Sequence, residues 1–273
     1  MESPFECHID VTAYQRAPVD LLCTETGFTR TQIKQVMQKG AVWLTHCKHT
    51  QRLRRASKVL SPGDQLHLYY DEKVMNQEPL AAELVADEQG YSVWNKPAGM
   101  LSHGSKWGDH CSITRWAEQH LQPERTAFLV HRLDRAAAGL MLVAHTKKMA
   151  AALAELFHER AVEKRYQVLV EGKFPTKPKP FLIDQELDGR AAISRISRLE
   201  FDPEAGRSLL DVAIETGRKH QIRRHLAAIG FPVVGDRLYG KAQSGEDLWL
   251  KASHLSFISP ITGERKAYYL PSQ

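Results

Sequence analysis

With 273 residues, 42% of them hydrophobic and 25% charged, the chain is long enough for about two domains, and its composition excludes wholesale disorder. The formal net charge of +5 is compatible with a polyanionic partner. No run approaches the roughly 18 apolar residues of a membrane span, and MESPFECHIDVTAY lacks the basic and apolar regions of a signal peptide. A cytoplasmic monomer without a membrane partner is therefore expected. Cys7, Cys23, Cys47 and Cys111 form no CxxC pair and read as free thiols in a reducing compartment. His46-Cys47-Lys48-His49 and His110-Cys111, with His103 upstream, lack a second half at zinc spacing, so no metal is expected. Walker, HExxH, GxSxG and GxGxxG motifs are absent, and no cofactor is expected either.

From Arg30 to Lys58 the chain carries eight basic residues (Arg30, Lys34, Lys39, Lys48, Arg52, Arg54, Arg55 and Lys58) and no acidic one. A solvated surface normally mixes signs, so this segregation points to a basic face. TRTQIKQVMQKG predicts a short amphipathic helix with Ile33, Val36 and Met37 on one side and Gly40 as a stop. AVWLTHC predicts a strand, and LSPGDQLHLYY a turn entering another. The order of Thr29-Arg30, Ile33, Gly40-Ala41-Val42, Lys58-Val59-Leu60 and Pro62-Gly63-Asp64 resembles the small RNA-binding domain of the S-four type, over residues 11–70. That resemblance implies an RNA-docking face carrying Arg30, Lys34, Lys39, Arg52, Arg54 and Arg55.

Residues 71–84, DEKVMNQEPLAAEL, show no dominant period and are read as a linker. From residue 85 to 273 the texture is that of a larger α+β domain. Tyr91-Ser92-Val93-Trp94 predicts a strand, Thr146 to His158 a helix, and Arg165 to Glu171 another strand.

Within this region HRLDRAAAGLMLVA, from His131 to Ala144, sets four ionisable side chains beside an apolar run, which is costly without partners. Further on, LLDVAIE alternates as a strand, and HQIRRHLAAIG predicts a helix ending at Gly230 with Ile222, Leu226 and Ile229 toward the core. Arg223 then stands beside the apolar stripe and requires a carboxylate. Asp134, Asp211 and Glu215 are all candidates.

HRLDRAAAGLMLVA resembles the signature of the RluA-type pseudouridine synthases, which isomerise specific uridines in ribosomal or transfer RNA. Other blocks match in the family's order: Asn95-Lys96-Pro97-Ala98-Gly99 with His103, Glu163-Lys164-Arg165-Tyr166, and TGRKHQIRRHL leading into Gly230 to Asp236 and Leu238-Tyr239-Gly240. Leu255-Ser256-Phe257 with Pro260 and Thr262-Gly263-Glu264 closes the series. The resemblance implies an α+β catalytic domain with a mixed, mainly antiparallel central sheet flanked by helices, preceded by the small α/β RNA-binding module. It also implies Asp134 as the catalytic aspartate, Tyr166 as the tyrosine stacking on a flipped base, Arg223 as the partner of Asp134, and Arg132 as the arginine entering the vacated RNA stack.

The residue types suit that chemistry. Pseudouridine formation breaks the bond from base nitrogen to sugar and rejoins the sugar to a base carbon, on a base taken out of its stack. An ionised aspartate can act as nucleophile or base, a guanidinium can stack and contact phosphate, and a tyrosine offers a flat face with a polar tip. The family usually carries a polar pair before the glycine, where this chain has Ala136-Ala137-Ala138. That departure supports one alternative, a catalytically silent RNA-binding or ribosome-assembly factor. A carboxylate-dependent glycosidic hydrolase, the other, lacks a convincing second carboxylate. The expected partner is RNA, ribosomal RNA favoured over transfer RNA because a basic auxiliary module suits large structured RNA.

Overall fold

The computed structural model describes residues 3–13, 17–240 and 245–271. Positions 14–16, 241–244 and 272–273, which the expected domain ranges also span, lie outside the described residues. The chain divides into two compact units, Met1–Pro79 with His103–Trp116, and Leu80–Ser102 with Ala117–Gln273.

The first unit contains β1 (Phe5–Asp10), α1 (Pro18–Thr26), α2 (Arg30–Gln38), β2 (Val42–His46), β3 (His49–Arg52), β4 (Gln65–Tyr70) and the single turn α3 (Glu72–Met75). Helix α2 starts in a capping box: Thr29 Oγ1 accepts from Gln32 N at 3.3 Å, and Gln32 Oε1 accepts from Thr29 N at 2.9 Å. Ile33, Val36 and Met37 bury their side chains with Val19 and Leu22 of α1 and with Leu44, Leu66 and Leu68 of the sheet. The sheet is antiparallel throughout, in the order β1-β4-β2-β3.

Besides β1, which precedes residue 11, two features extend this unit past residues 11–70. Asp71 accepts from Lys73 N at 2.9 Å and caps α3, and Met75, 7% exposed, enters the core, so the start of the expected linker is anchored. Residues 103–116 also join the first unit. Asp109 bridges Arg52 and Arg54, Asp109 N donates to Lys39 O at 3.0 Å, and Trp43 Nε1 donates to Lys106 O at 3.0 Å. Such an insertion leaves no periodic trace in a sequence, because it is held by isolated polar contacts.

The second unit contains β5 (Glu83–Asp87), β6 (Tyr91–Lys96), most of the sheet strands, and helices on either half of the sheet. Helix α4 (Ile113–His120) runs across the boundary in sequence. It is followed by β7 (Phe128–Leu129), β8 (Ala138–Ala144), α5 (Lys147–His158), β9 (Glu163–Glu171), β10 (Phe181–Asp184), β11 (Ile193–Asp202), β12 (Arg207–Ile214), α6 (Gln221–Ala228), β13 (Leu250–Ile258) and β14 (Arg265–Tyr269). The sheet runs β10-β11-β12-β9-β13-β8-β6-β5, with β14 on β13 and β7 on β8. Every pairing between its described strands is antiparallel except β8 with β13, the mixed and mainly antiparallel sheet that was expected.

Two cores flank the site. Ile222 and Leu226 of α6 pack on Val168, Leu210 and Val212, whereas Leu153 of α5 packs with Val93, Leu142 and Phe257. Where the two halves meet, Gly139 allows β8 to approach β13. It holds φ +115°, and a Cβ there would lie 2.3 Å from Ala252 O and 2.5 Å from Ala252 N. Both partners are backbone atoms and cannot rotate away. No helix among the described residues is long and apolar enough to cross a membrane. Gly139→Ala is expected to cost about 3 kcal/mol or more through strain and overpacking, read as a lowered midpoint in chemical denaturation.

Candidate active site

The loop Val130–Ala137 delivers Asp134 to the entrance of β8, and backbone bonds close it: Ala137 N donates to Asp134 O at 3.1 Å and Gly99 N to Arg135 O at 2.7 Å. Ser102 Oγ donates to Leu133 O at 2.7 Å and accepts from Leu133 N at 3.1 Å. Lys96, fully buried at 0% exposure, donates Nζ to the carbonyls of Ala137 (2.6 Å), Met100 (2.9 Å) and Pro97 (3.0 Å), with that of Arg135 at 3.4 Å. Burial pulls this ammonium down to about 8, against an opposing pull from the Asp134 charge.

Helix α6 supplies the partner. Arg223 Nη1 donates to Asp134 Oδ2 at 2.9 Å, while Nε and Nη2 each donate to Asp236, both at 2.8 Å. The Arg223 side chain is 6% exposed, that of Asp236 0% and that of Asp134 26%, so Asp134 alone of the three opens to the outside. Asp236 Oδ1 also accepts from Leu238 N (2.9 Å) and Tyr239 N (3.1 Å). Burial opposes the Asp236 charge, but Arg223 and these two amides hold its carboxyl below the usual range. Gly235 makes this turn possible at φ +75°, since a Cβ there would lie 2.0 Å from Asp247 O.

His220 precedes α6 in a left-handed conformation, φ 53°. Its Nε2 lies 3.7 Å from Asp134 Oδ1, and its Nδ1 lies 3.0 Å from the Tyr239 hydroxyl. Burial lowers its imidazole, with Asp134 pulling the other way. Gln221 fixes the preceding turn, accepting from Thr216 Oγ1 (2.7 Å) and Arg218 N (3.1 Å) and donating to Ile193 O (2.9 Å).

Tyr166 on β9 lines the same pocket as Arg132, Asp134, Ala137, His220 and Arg223. Its ring is half-buried, and burial, followed by the Asp134 charge, raises its hydroxyl above the ordinary value. The phenol therefore stays neutral at physiological pH. Arg132 is exposed on the pocket wall. His131 points the other way: Nε2 accepts from Leu142 N at 3.0 Å, and the ring stacks on Phe157 at 4.6 Å. Withdrawal from water and the Lys164 charge push its imidazole down to about 3.

Thus the second unit brings Arg132, Asp134, Tyr166 and Arg223 to one pocket. Asp211 and Glu215, the other candidate partners of Arg223, pair instead with Arg165 and Arg195. The basic residues of the first unit are differently disposed. Arg30 pairs with Asp20, Arg52 and Arg54 share Asp109, and Lys39 Nζ donates to Met75 O at 2.5 Å. Lys34 and Arg55 are exposed. The sequence assigns no role to Lys96 or Asp236, and it marks His220, like His131 and Gln221, as a structural hydrogen-bonding residue. Lys96 and Asp236 lay inside matched blocks, and a five-donor guanidinium beside an apolar stripe already demanded more than one carboxylate.

The profile of the RNA pseudouridylate synthase family matches residues 90–228, just over half of the chain. An uncharacterized RNA pseudouridine synthase of Aquifex aeolicus is 30% identical, over 87% of this chain and 84% of that one. The ribosomal large subunit pseudouridine synthase D of Zymomonas mobilis is 26% identical, covering 69% and 68%. The tRNA pseudouridine synthase C of Vibrio parahaemolyticus is 29% identical, covering 68% and 88%. The chain belongs to the RNA pseudouridine synthase family, on the fold that its mixed sheet and flanking helices define. It is an isomerase acting on RNA uridines.

Two outcomes follow from the site's packing. Lys96→Met removes the ammonium that the buried carbonyls of Ala137 and Met100 share, and a stability loss of about 3 kcal/mol is expected in chemical denaturation, together with a slower turnover. His131, at about 3 in the folded chain and near 6.5 unfolded, contributes stability that is present above about 6.5 and lost as pH falls toward about 3. A His131→Gln variant should show a shallower acid-side loss of stability than the parent over that window.

Proposed function

We propose that the chain converts specific uridines of structured RNA to pseudouridine by drawing the flipped base into the pocket between Tyr166 and Asp134. Asp134 is the catalytic carboxylate, Tyr166 the face on which the base stacks, and Arg223 the partner that holds Asp134. Arg132, at the pocket wall, fills the space that the base vacates. One observation carries this reading: a partly exposed carboxylate fixed from behind by a buried, doubly anchored guanidinium, at 2.9 Å. That guanidinium holds the carboxylate in one orientation at the mouth of the pocket.

The reaction is balanced within one nucleotide. The sugar C1′ leaves the base nitrogen and joins the base carbon, the carbon gives up its proton, and the nitrogen gains one. Asp134 serves as nucleophile toward the sugar or as base, and no group is imported. Tyr166, kept protonated by its surroundings, offers a stacking face and a hydroxyl that can donate a hydrogen bond.

Ribosomal RNA is proposed before transfer RNA. Lys34 and Arg55, exposed on the first unit, support docking on a large structured RNA. The relatives carry both specificities in their names, so the test covers both. Pseudouridine is mapped in ribosomal and transfer RNA from cells with the gene, without it, and with Asp134→Asn in its place. At least one site should vanish in both altered strains, with the rate in vitro falling roughly 10³-fold or more for the variant. An unchanged map in both strains would refute the proposal, and release of free uracil would indicate hydrolysis instead.

A further inference from the structure

Beside the catalytic pocket the second unit has another, wider cleft, and the two share Arg132, Tyr166, Ile214, Gly217 and Arg218 as lining. Its remaining wall includes Phe157, Arg160, Lys164 and Glu215. Among the described residues, Arg132, Arg160 and Lys164 make no ion pair within 4.0 Å. Arg218 spends Nε on Ala191 O at 3.1 Å and has no carboxylate partner either. Glu215, the single carboxylate of this wall, is already bound by Arg195 at 2.7 Å. The contrast with the first unit is sharp. There Arg30, Arg52 and Arg54 have carboxylate partners within the chain, whereas here four cations face one cleft and, among the described residues, none of them pairs with a carboxylate.

We propose that this cleft is a phosphodiester subsite, in which Lys164 and Arg160 grip the RNA backbone adjoining the target uridine. The inference deepens the reading of the preceding subsection and depends on it. Lys164 and Tyr166 are alternate residues of β9, on one face and about 7 Å apart along the strand. A strand segment with its base against Tyr166 therefore has its neighbouring backbone within reach of Lys164. Lys164 Nζ lies over the Phe157 ring, 5.9 Å from its centroid, which limits the freedom lost on binding. Arg160 sits at φ 58°, just after α5, where its left-handed backbone ends the helix and turns the chain toward β9. Burial and the neighbouring Arg160 charge hold the Lys164 ammonium below its ordinary value, so an anion here would be doubly favoured.

Lys164→Gln, Arg160→Gln and, as a control on the outer surface of α5, Lys148→Gln are compared with the parent on unmodified ribosomal RNA from cells lacking the gene. Thermal denaturation confirms folding, and the exposed Arg160 makes its substitution the safer of the two. For each cleft variant KM should rise about 10-fold with kcat within about twofold, and the slope of log Kd against log salt should shrink by about 0.7. Kd is measured in an Asp134→Asn background so that no product forms. Lys164→Arg should restore KM. If both cleft variants match Lys148→Gln in KM and salt slope, the subsite is refuted, as it is if only kcat falls. Should Asp134→Asn itself leave pseudouridine formation intact, the failure belongs to the catalytic reading, because the cleft variants test binding alone.

Discussion

The site depends on one guanidinium shared by two carboxylates. Burying Arg223 to 6% exposure would cost several kcal/mol if it were unpaired. Asp236 removes that cost: it binds two of the guanidinium nitrogens and is itself fixed by the amides of Leu238 and Tyr239. The third contact is left for Asp134. Two carboxylates and one guanidinium sum to a single negative charge, and burial is uneven. Asp236 is sealed while Asp134 is 26% exposed, so of the two carboxylates only Asp134 opens to the outside. A carboxylate sealed inside the unit thus fixes the guanidinium that aims the one open to the outside.

The loop carrying Asp134 meets the same requirement by different means. Its alanine triplet offers no hydroxyls, yet few are needed. Lys96 occupies the position of an internal cap, binding the carbonyls of Ala137 and Met100 from within the unit, and Ala137, 2% exposed, packs into the core beneath the pocket. Gly139 then lets β8 lie against the backbone of β13, which fixes where the loop begins. A buried lysine with carbonyl partners is expensive in isolation. Here it converts an otherwise bland stretch of backbone into a rigid support.

How much of this was legible in the sequence varies with the kind of force involved. Periodic burial was readable: Ile33, Val36 and Met37 marked α2, and Ile222 with Leu226 marked α6, because apolar spacing records which face meets a core. Arg223 could be seen to need a carboxylate, but not which one, since Asp134, Asp211 and Glu215 differ only in three-dimensional placement. The blocks around Lys96 and Asp236 were visible as resemblance and silent as chemistry. Least legible was the fate of the basic segment. A run of like charges in sequence suggested an open basic face, yet Asp109, far downstream, pairs with both Arg52 and Arg54. Charge along a chain gives no account of carboxylates that fold back onto it.

The arrangement also separates two tasks that one arginine-rich sequence could have confused. Arginines with carboxylate partners hold the structure together, as Arg223, Arg165 and Arg125 do through Asp236, Asp211 and Asp87. Cations without partners gather on the pocket's flank, where a polyanion would complete them. Asp236, through Arg223, holds Asp134 in place at the pocket. Single-turnover pseudouridine formation by Asp236→Asn, measured beside RNA affinity, tests it most directly. A rate loss of about 10²-fold with affinity within twofold is predicted, the effect of misplacing a catalytic group by a fraction of its contact distance. An unchanged rate in a folded Asp236→Asn protein, or a loss confined to RNA affinity, would contradict it.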